Sequence, residues 1–405
     1  MLTPWRIWHA ALLLFASTVG FSQGLTLDSL VRMGIRSNPE LLVSLEENEE
    51  IASDTLFATI PKNPHLEVDA GYNLSRPDRP KAGARISREF QVGVRNGQYK
   101  VSKARVDANH EWQKSRELEI ELEIRSAYFT WQILNRKASL QKEVQKRWVG
   151  LSRIAAAKVK EGRLSQVEEA QARLNLAKAR QKESELGTEM ESLEKRLAYL
   201  TGQNSLLDTL ASVFIDSFPS VPSLDSLMGL AVKESRSLKA LDKEVVAQGM
   251  QAGLEKALRN PALTLSLGYE REMEGDNVLG AGFELPLPLF NRNQAGIARA
   301  QSSLKLAERR RRTAEMKLKT ELSEIHGRLT DLATRYRNHH EEISVLSLKQ
   351  LELSEKGFLQ GMLGVFELSR VQEEFLSLEG EALNILDENY RQWNRLSQAV
   401  GATLW

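Results

Sequence analysis

The side chains that most often carry out chemistry occur in this sequence, but their spacing builds no recognisable active site. Its six histidines are scattered, no two have the spacing of a zinc-binding helix, and cysteine is absent. His339 and His340 are adjacent, so they lie on different sides of a helix and are expected on its solvated surface. The glycines of Gly280–Ala281–Gly282 fall in an alternating stretch typical of a strand, where they cannot hold phosphate at a helix start. The sequence predicts no catalytic residue, no cofactor and no bound metal, and therefore a protein that is not an enzyme.

The charge of the chain is high but balanced. It has 55 basic and 54 acidic residues, which leaves a net charge of +1. The basic run 309–312 has Glu308 and Glu315 beside it and is typical of a solvated helix face. We therefore expect no nucleic-acid partner.

The N-terminus has the features of a secretory signal peptide at residues 1–22. Arg6 precedes an apolar run at 10–19, and Gly20 and Ser22 are the small residues that a signal peptidase requires. A short core helix is the weaker alternative, because polar sequence starts abruptly at Gln23. No later stretch has the roughly 18 consecutive apolar residues of a transmembrane helix.

The mature sequence consists of two copies of one half. The four letters of 27–30 return at 224–227, Asn63–Pro64 returns at 260–261, and 197–202 resembles 396–401. We predict a first repeat at 23–202, a connector at 203–221 and a second repeat at 222–405.

Each repeat contains two stretches of alternating apolar and polar residues. They predict strands at about 64–73 and 84–95, and again at about 262–270 and 278–287. Strands of about 9–11 residues with one apolar face are what a membrane barrel requires. Hairpins packed on helices in a soluble protein would show the same alternation.

If these strands lie in a membrane, several chains must share one barrel. Unpaired strand edges cost several kcal/mol in hydrocarbon, and four strands are too few to close. The polar face carries Glu67, Asp69, Glu89 and Glu284, which favours a wet lumen and hence three chains over two.

Long helical stretches without proline follow each strand pair, at about 97–160 and 293–358. At about 1.5 Å per residue, such helices would span roughly 90 Å. Each is predicted to turn back, at 161–165 and at 360–364, because glycine can end one helix and Ser165 can begin the next. Apolar residues in steps of four and three predict coiled-coil packing, as in Leu186, Met190, Leu193, Leu197 and Leu200, in Leu318, Leu322, Ile325, Leu329 and Leu332, and in Val371, Phe375, Leu378, Ala382 and Ile385.

Taken together, these motifs resemble the TolC-like outer-membrane efflux proteins, especially the branch that serves metal and drug efflux pumps. The repeated Leu-Asp-Ser-Leu starts, the Asn-Pro motifs and the strand-to-helix junction at 285–294 carry the resemblance; the counterpart ending at 95–98 is degenerate. It implies a mainly α fold with a small β part. Duplicated long antiparallel helical coiled coils would form an α-barrel, and four membrane strands per chain would contribute to a shared trimeric twelve-stranded β-barrel.

The resemblance also implies a function. The chain would be the passive exit channel of a tripartite efflux system, moving metal ions or organic toxicants from the periplasm or an inner-membrane pump to the outside. The chain would form a homotrimer. Its partners would be a periplasmic adaptor protein, an inner-membrane transporter of the resistance-nodulation-division type, and outer-membrane lipid. The channel would lie in the outer membrane, with its helical tunnel in the periplasm. A secreted or surface coiled-coil structural or adhesin-like protein without a pore is the alternative, although such a protein has no need of amphipathic strands.

The family places its adaptor-docking tips and its periplasmic gate at the two helical turns. The tips correspond to Gly162, Arg163, Leu164 and Ser165, and to Gly361, Met362, Leu363 and Gly364. The gate candidates implied by the resemblance are Glu168, Phe358, Leu363, Glu367 and Arg370. Three of these depart from the family pattern: Phe358 replaces a tyrosine, Leu363 a basic residue and Arg370 an acidic one. The plain alternative is that both glutamates are helix-start carboxylates stabilised by the helix dipole.

Overall fold

The computed structural model describes residues 25–73, 76–206, 210, 219–271 and 277–404, with the side chains of 72–80 left aside. The predicted signal peptide and much of the predicted connector lie outside the described residues. The elements are α1 (Leu27–Ser37), α2 (Pro39–Thr59), β1 (His65–Asn73), β2 (Arg76–Phe90), α3 (Val94–Lys160), α4 (Gln166–Leu200), α5 (Leu224–Glu234), α6 (Arg236–Ala257), β3 (Leu263–Arg271), β4 (Asn277–Glu284), α7 (Gln294–Asn338), a π turn (His339–Ile343), α8 (Ser344–Gln360) and α9 (Val365–Val400).

The described residues form two compact units, and each takes segments from both halves of the sequence. The first unit comprises the described residues of 25–38, 123–210 and 332–391. The second unit comprises those of 39–122, 219–331 and 392–404. None of the described helices is long and apolar enough to cross a membrane.

Both halves begin with a short helix whose start is capped by a hydroxyl group. The Thr26 side chain accepts a hydrogen bond from the Ser29 amide, and Ser223 does the same for Ser226. Asp28 lies inside the first turn of α1, where the helix dipole stabilises its negative charge.

The four strands form one antiparallel sheet in the order β1-β2-β3-β4, within the second unit. Leu66 lies opposite Ile86, Ile86 opposite Leu267, and Leu267 opposite Ala281, so one face is mainly apolar across all four strands, although Arg88 also lies on it. This face is open, with Leu66 71%, Leu279 73% and Phe283 76% exposed. The opposite face is polar.

Two strands have different bounds from those predicted. β2 starts at Arg76 rather than near 84, because its first residues pair with β1 alone and prolines are tolerated where one side of a strand is unpaired. It ends at Phe90 because Gly93 turns the chain with φ of +80° and α3 begins at Val94. β4 ends at Glu284, three residues before the predicted limit, because Pro286 has no N–H to donate.

The predicted steps of four and three form the buried helix faces. Leu318, Leu322, Ile325 and Leu329 lie in a cluster of the second unit with Trp393 and Leu396. In the first unit, Trp148, Ala155, Ala172, Phe358 and Leu368 belong to a second cluster. Most remaining members of the predicted rows are buried or half-buried.

A π turn interrupts the second long helix, which was predicted to be continuous. Up to Leu332 and His339, the buried positions follow the four-three pattern. In α8, the buried row is displaced from this pattern by one residue; it consists of Ser347, Leu351, Ser354 and Phe358. A π turn holds one extra residue, so it returns the displaced row to the buried side. His339 lies in this turn and is 3% exposed, so the prediction that it is solvated was wrong.

Glycine ends the last helix of each half, at Gly202 and Gly401, with φ of +65° and +85°. A Cβ atom on Gly202 would clash with the carbonyl group of Ser37, and one on Gly401 with the backbone of Glu234 to Arg236. Both positions therefore require glycine for conformation and for space.

We expect Gly202→Ala and Gly401→Ala each to destabilise the protein by about 2 kcal/mol or more, because a left-handed conformation alone costs about 1–2 kcal/mol. The matched control is Gly187→Ala, in the interior of α4 with no atom near its Cβ position. Alanine is the better helix former there, so its thermal unfolding midpoint should not fall. Equal midpoints for all three variants would contradict the packing described for the two helix ends.

Candidate functional site

The turn between α3 and α4, which we call the first tip (residues 161–165), is built by one glycine and one capping box. Gly162 has φ of +68°, and the Arg163 amide donates to the Lys158 carbonyl oxygen at 2.8 Å, which closes the end of α3. The Ser165 hydroxyl accepts from the Glu168 amide at 3.2 Å, and the Ser165 amide donates to the Glu168 carboxylate at 3.1 Å. The predicted turn and the predicted Ser165 cap are confirmed.

Glu168 is held as an anion by this capping box. The amide and the hydroxyl of Ser165 both donate to its carboxylate, and the nearby Val365 amide favours the same charged form, so the pKa of Glu168 lies below its ordinary value. Val365 is the first residue of α9, on the other side of the tips. The Glu168 carboxylate therefore caps α4 and lies close to the start of α9.

The turn between α8 and α9, the second tip (residues 360–364), repeats the backbone of the first tip with a weaker cap. Gly361 has φ of +80°, and the Met362 amide donates to the Gly357 carbonyl oxygen at 2.8 Å. Gly364 stands where the first tip has Ser165, so it offers no side-chain acceptor. The Gly364 amide donates to Glu367 at 3.1 Å, which completes only half of a capping box.

Two side chains of the first hairpin (α3 and α4), Glu168 and Lys158, lie against the second tip. A Cβ atom on Gly364 would lie 3.0 Å from Glu168 Oε1, so the carboxylate occupies the space that a capping side chain would fill. At the other end of the turn, Lys158 Nζ donates to the carbonyl oxygens of Phe358 and Leu359 at 2.7 and 3.3 Å. Lys158 also lies over the Phe358 ring, 4.7 Å from its centroid. We call the contacts of Lys158 and Glu168 with α8 and α9 the tip bridge.

The other gate candidates occupy contrasting environments. Phe358 is buried in the apolar cluster of the first unit, and Leu363 packs against Gly357. Arg370 is exposed on α9. Glu367 is engaged at its own helix start. Both glutamates thus accept a hydrogen bond at their own helix starts, and the gate roles of all five candidates stay predictions.

A buried polar pair lies next to the tips within the apolar cluster. Asn175 Nδ2 on α4 donates to Ser369 Oγ on α9 at 2.7 Å. Because both residues are buried, this directional bond fixes how α4 and α9 align. Lys158, Asn175 and Ser369 were missed from the sequence, where nothing marks partners about 200 positions away.

Apolar side chains surround the tips and remain open. Met362 is 70% exposed, and Val167, Leu359 and Phe366 are also exposed. Isolated exposed apolar residues are ordinary, but four around two adjacent turns form a surface suited to a protein partner. Among the described residues, no group of three or more histidine or acidic side chains could hold a metal ion.

Comparisons with known proteins agree on a family and a fold. The sequence model of the outer membrane efflux protein family matches residues 35–203 and 227–402. The cobalt-zinc-cadmium resistance protein CzcC of Cupriavidus metallidurans is 24% identical over 284 residues, which cover 67% of this chain but only 65%, less than two thirds, of CzcC. The crystal structure of the outer membrane protein VceC from Vibrio cholerae has a TM-score of 0.75 at 14% identity, over 94% of this chain and 97% of VceC. A CusC structure has a TM-score of 0.76 at 14% identity, over 95% and 96%. At 14% sequence identity, these two structural matches show that the folds are alike.

The capping box of the first tip can be tested directly. Ser165→Ala removes a hydroxyl that caps α4, so we expect a loss of about 1 kcal/mol of local stability. Hydrogen exchange of the amides in the first turn of α4 should become several-fold faster. Ser184→Ala, on the exposed middle of the same helix, should leave those amides unchanged. Unchanged protection in Ser165→Ala would show that the box does not stabilise the tip.

Proposed function

Because the chain belongs to the outer membrane efflux protein family, we propose that it is the passive outer-membrane exit channel of a tripartite efflux system. Small solutes would enter it from the periplasm or an inner-membrane pump and leave the cell without chemical change. The channel would be a homotrimer in the outer membrane with its helical part in the periplasm.

The observation that carries this proposal is the open apolar face of the sheet. Large side chains such as Leu66, Leu279 and Phe283 lie on one side, and Glu67, Arg85 and glycines lie on the other. In water, this apolar face would be costly, whereas contact with lipid hydrocarbon would satisfy it. A secreted coiled-coil protein without a pore, the alternative, leaves this face unexplained.

The need for several chains follows from the two outer strands of the sheet. Among the described residues, β1 pairs only with β2 and β4 only with β3. In hydrocarbon, their free backbone groups would each cost several kcal/mol, so they must pair with other chains. Three chains would close a cylinder of twelve strands whose inside is polar.

The nature of the partners and of the cargo is a further part of the proposal. The exposed apolar surface around the tips suits a periplasmic adaptor, which would connect the channel to an inner-membrane transporter, for which we propose the resistance-nodulation-division type. For the cargo we favour metal cations, because CzcC is named for cobalt, zinc and cadmium resistance. Organic toxicants are the second candidate.

The membrane assignment can be tested with two arginine substitutions on adjacent residues of β3. Leu267 lies on the apolar face and Ser266 on the polar face. An arginine on the lipid side costs about 2–4 kcal/mol at mid-membrane and much less on the lumen side. We expect Leu267→Arg to abolish detergent-extracted trimers from the outer-membrane fraction, whereas Ser266→Arg should keep them. A wild-type chain that stayed monomeric and soluble without detergent would overturn the proposal.

Adaptor docking at the tips can be tested through Met362. Met362→Asp places a charge on the exposed apolar surface, so we expect efflux and adaptor co-purification to fall at least tenfold while trimers remain in the membrane. The control is Met316→Asp on α7, which alters an equally exposed methionine in the second unit. Normal efflux by Met362→Asp would argue against docking at this surface.

A further inference from the structure

The apolar row of β4 continues beyond the end of the strand, into the junction segment (residues 285–293) that joins β4 to α7. β4 itself ends at Glu284. Leu285 and Leu287 keep the spacing of two that places Phe283 on the apolar face of the sheet. These two leucines are 44% and 72% exposed. The apolar row therefore extends past the last paired residue of the sheet.

β4 is too short to supply the apolar height of an outer-membrane barrel by itself. It has eight residues, and at about 3.4 Å per residue and a tilt of about 40° it rises roughly 21 Å. The apolar band of such a barrel is about 25 Å tall, so the height of about two residues is missing. The sequence just before β4 cannot supply it, because it contains Glu272, Glu274 and Asp276. Leu285 and Leu287, on the helix side, can.

The junction segment also carries the most exposed apolar side chain of this region. Phe290 is 90% exposed, compared with 76% for Phe283 on the sheet. Leu289, next to it, is 66% exposed. In water these side chains would be costly, whereas contact with lipid would satisfy them together with the apolar face that they continue.

Hydrogen bonds hold the junction segment in this shape. Gln294 Nε2 donates to the carbonyl oxygen of Phe290 at 2.9 Å. Asn293 Nδ2 donates to the carbonyl oxygen of Glu255 at 2.9 Å, which ties the segment to α6. The exposure of Phe290 is therefore fixed by the surrounding contacts.

A positive charge follows the apolar residues. Arg292 is exposed, and its Nε donates to the carbonyl oxygen of Pro288 at 3.0 Å. A guanidinium group has five N–H donors, so others of them can reach the phosphate of a lipid headgroup. Aromatic side chains with a basic residue just beyond them suit the boundary between lipid and water.

The first repeat has no comparable segment. β2 ends at Phe90 and α3 begins at Val94, so three residues join them. Of these three, only Val92 is large and apolar. The junction segment therefore belongs to the second repeat alone and occurs once in each chain.

We propose that the junction segment is part of the membrane-contacting surface and sets how deeply the channel is inserted. Leu285 and Leu287 complete the apolar height of β4, and Phe290 lies at the boundary between the acyl chains and the headgroups of periplasmic-leaflet phospholipid. This inference rests on the proposed function, because it requires the sheet to lie in the outer membrane. Three chains place three such segments around the barrel.

The chain has no cysteine, so a single introduced cysteine carries a spin label at one known position. The test variants are Phe290→Cys and Leu287→Cys. The references are Leu267→Cys, on the apolar face of β3, and Met362→Cys, at the second tip. Labelled full-length trimers would be placed, without adaptor, in liposomes of phosphatidylethanolamine and phosphatidylglycerol. Electron paramagnetic resonance then measures the access of oxygen, which enters lipid, and of a water-soluble nickel complex, which does not.

We expect the ratio of oxygen to nickel access to be highest at 267 and lowest at 362. At 287 and 290 the ratio should be several-fold higher than at 362, with 287 above 290 because it lies deeper. Both reagents are excluded from a packed protein interface, so low access to both at 287 and 290 would place the segment against another copy of the chain and overturn the lipid contact.

The reference at 267 separates failure of this inference from failure of the proposed function. If the label at 267 reports lipid while those at 287 and 290 match the label at 362, the junction segment lies in water. The lipid contact would then be refuted and the membrane channel would stand. If the label at 267 also reports water, the sheet is not in the membrane, and both proposals would be refuted.

Discussion

The open apolar face of the four-stranded sheet is the constraint on which the rest of the structure depends. Its large side chains are exposed, and among the described residues its outer strands have free edges. Lipid hydrocarbon would cover the apolar side chains, and strands from other chains would pair with the free edges. The helices bury their own apolar rows in clusters and keep most charged residues outside, and none of the described helices is long and apolar enough to cross a membrane.

The two halves of the chain show how copies of one structure can acquire different tasks. Helix, helix, strand, strand and a long helical hairpin follow in the same order twice. Both tips use a left-handed glycine and a glutamate at the next helix start. Ser165 completes the capping box of the first tip, whereas Gly364 leaves the second tip with half of one. Lys158 donates to carbonyl oxygens of α8, and the second hairpin (α8 and α9) has Gly357 at the matching position. The backbone has been kept, and the difference lies at two matched positions, 158 with 357 and 165 with 364.

Local signals predicted local structure well. The glycine-ended turns, the Ser165 cap and the four-three rows could be found because each depends on residues within a few positions. The start of β2 was missed because its prolines resemble a turn, and they are tolerated only through the one-sided pairing of that segment. The π turn left a detectable signal, a one-residue displacement of the buried row after His339. The tip bridge left none, because Lys158 and Phe358 meet only in the folded chain.

The π turn has a consequence for how this duplicated chain could change over time. One extra residue in a continuous helix would rotate everything beyond it by about 100°, turning a buried row toward water. Here the wider turn absorbs that rotation, so the residues of α8 still reach the core. The insertion of a single residue into a long helix of one half can therefore be tolerated. Two copies that began alike can drift in length, and their likeness can fade from the sequence while the architecture persists.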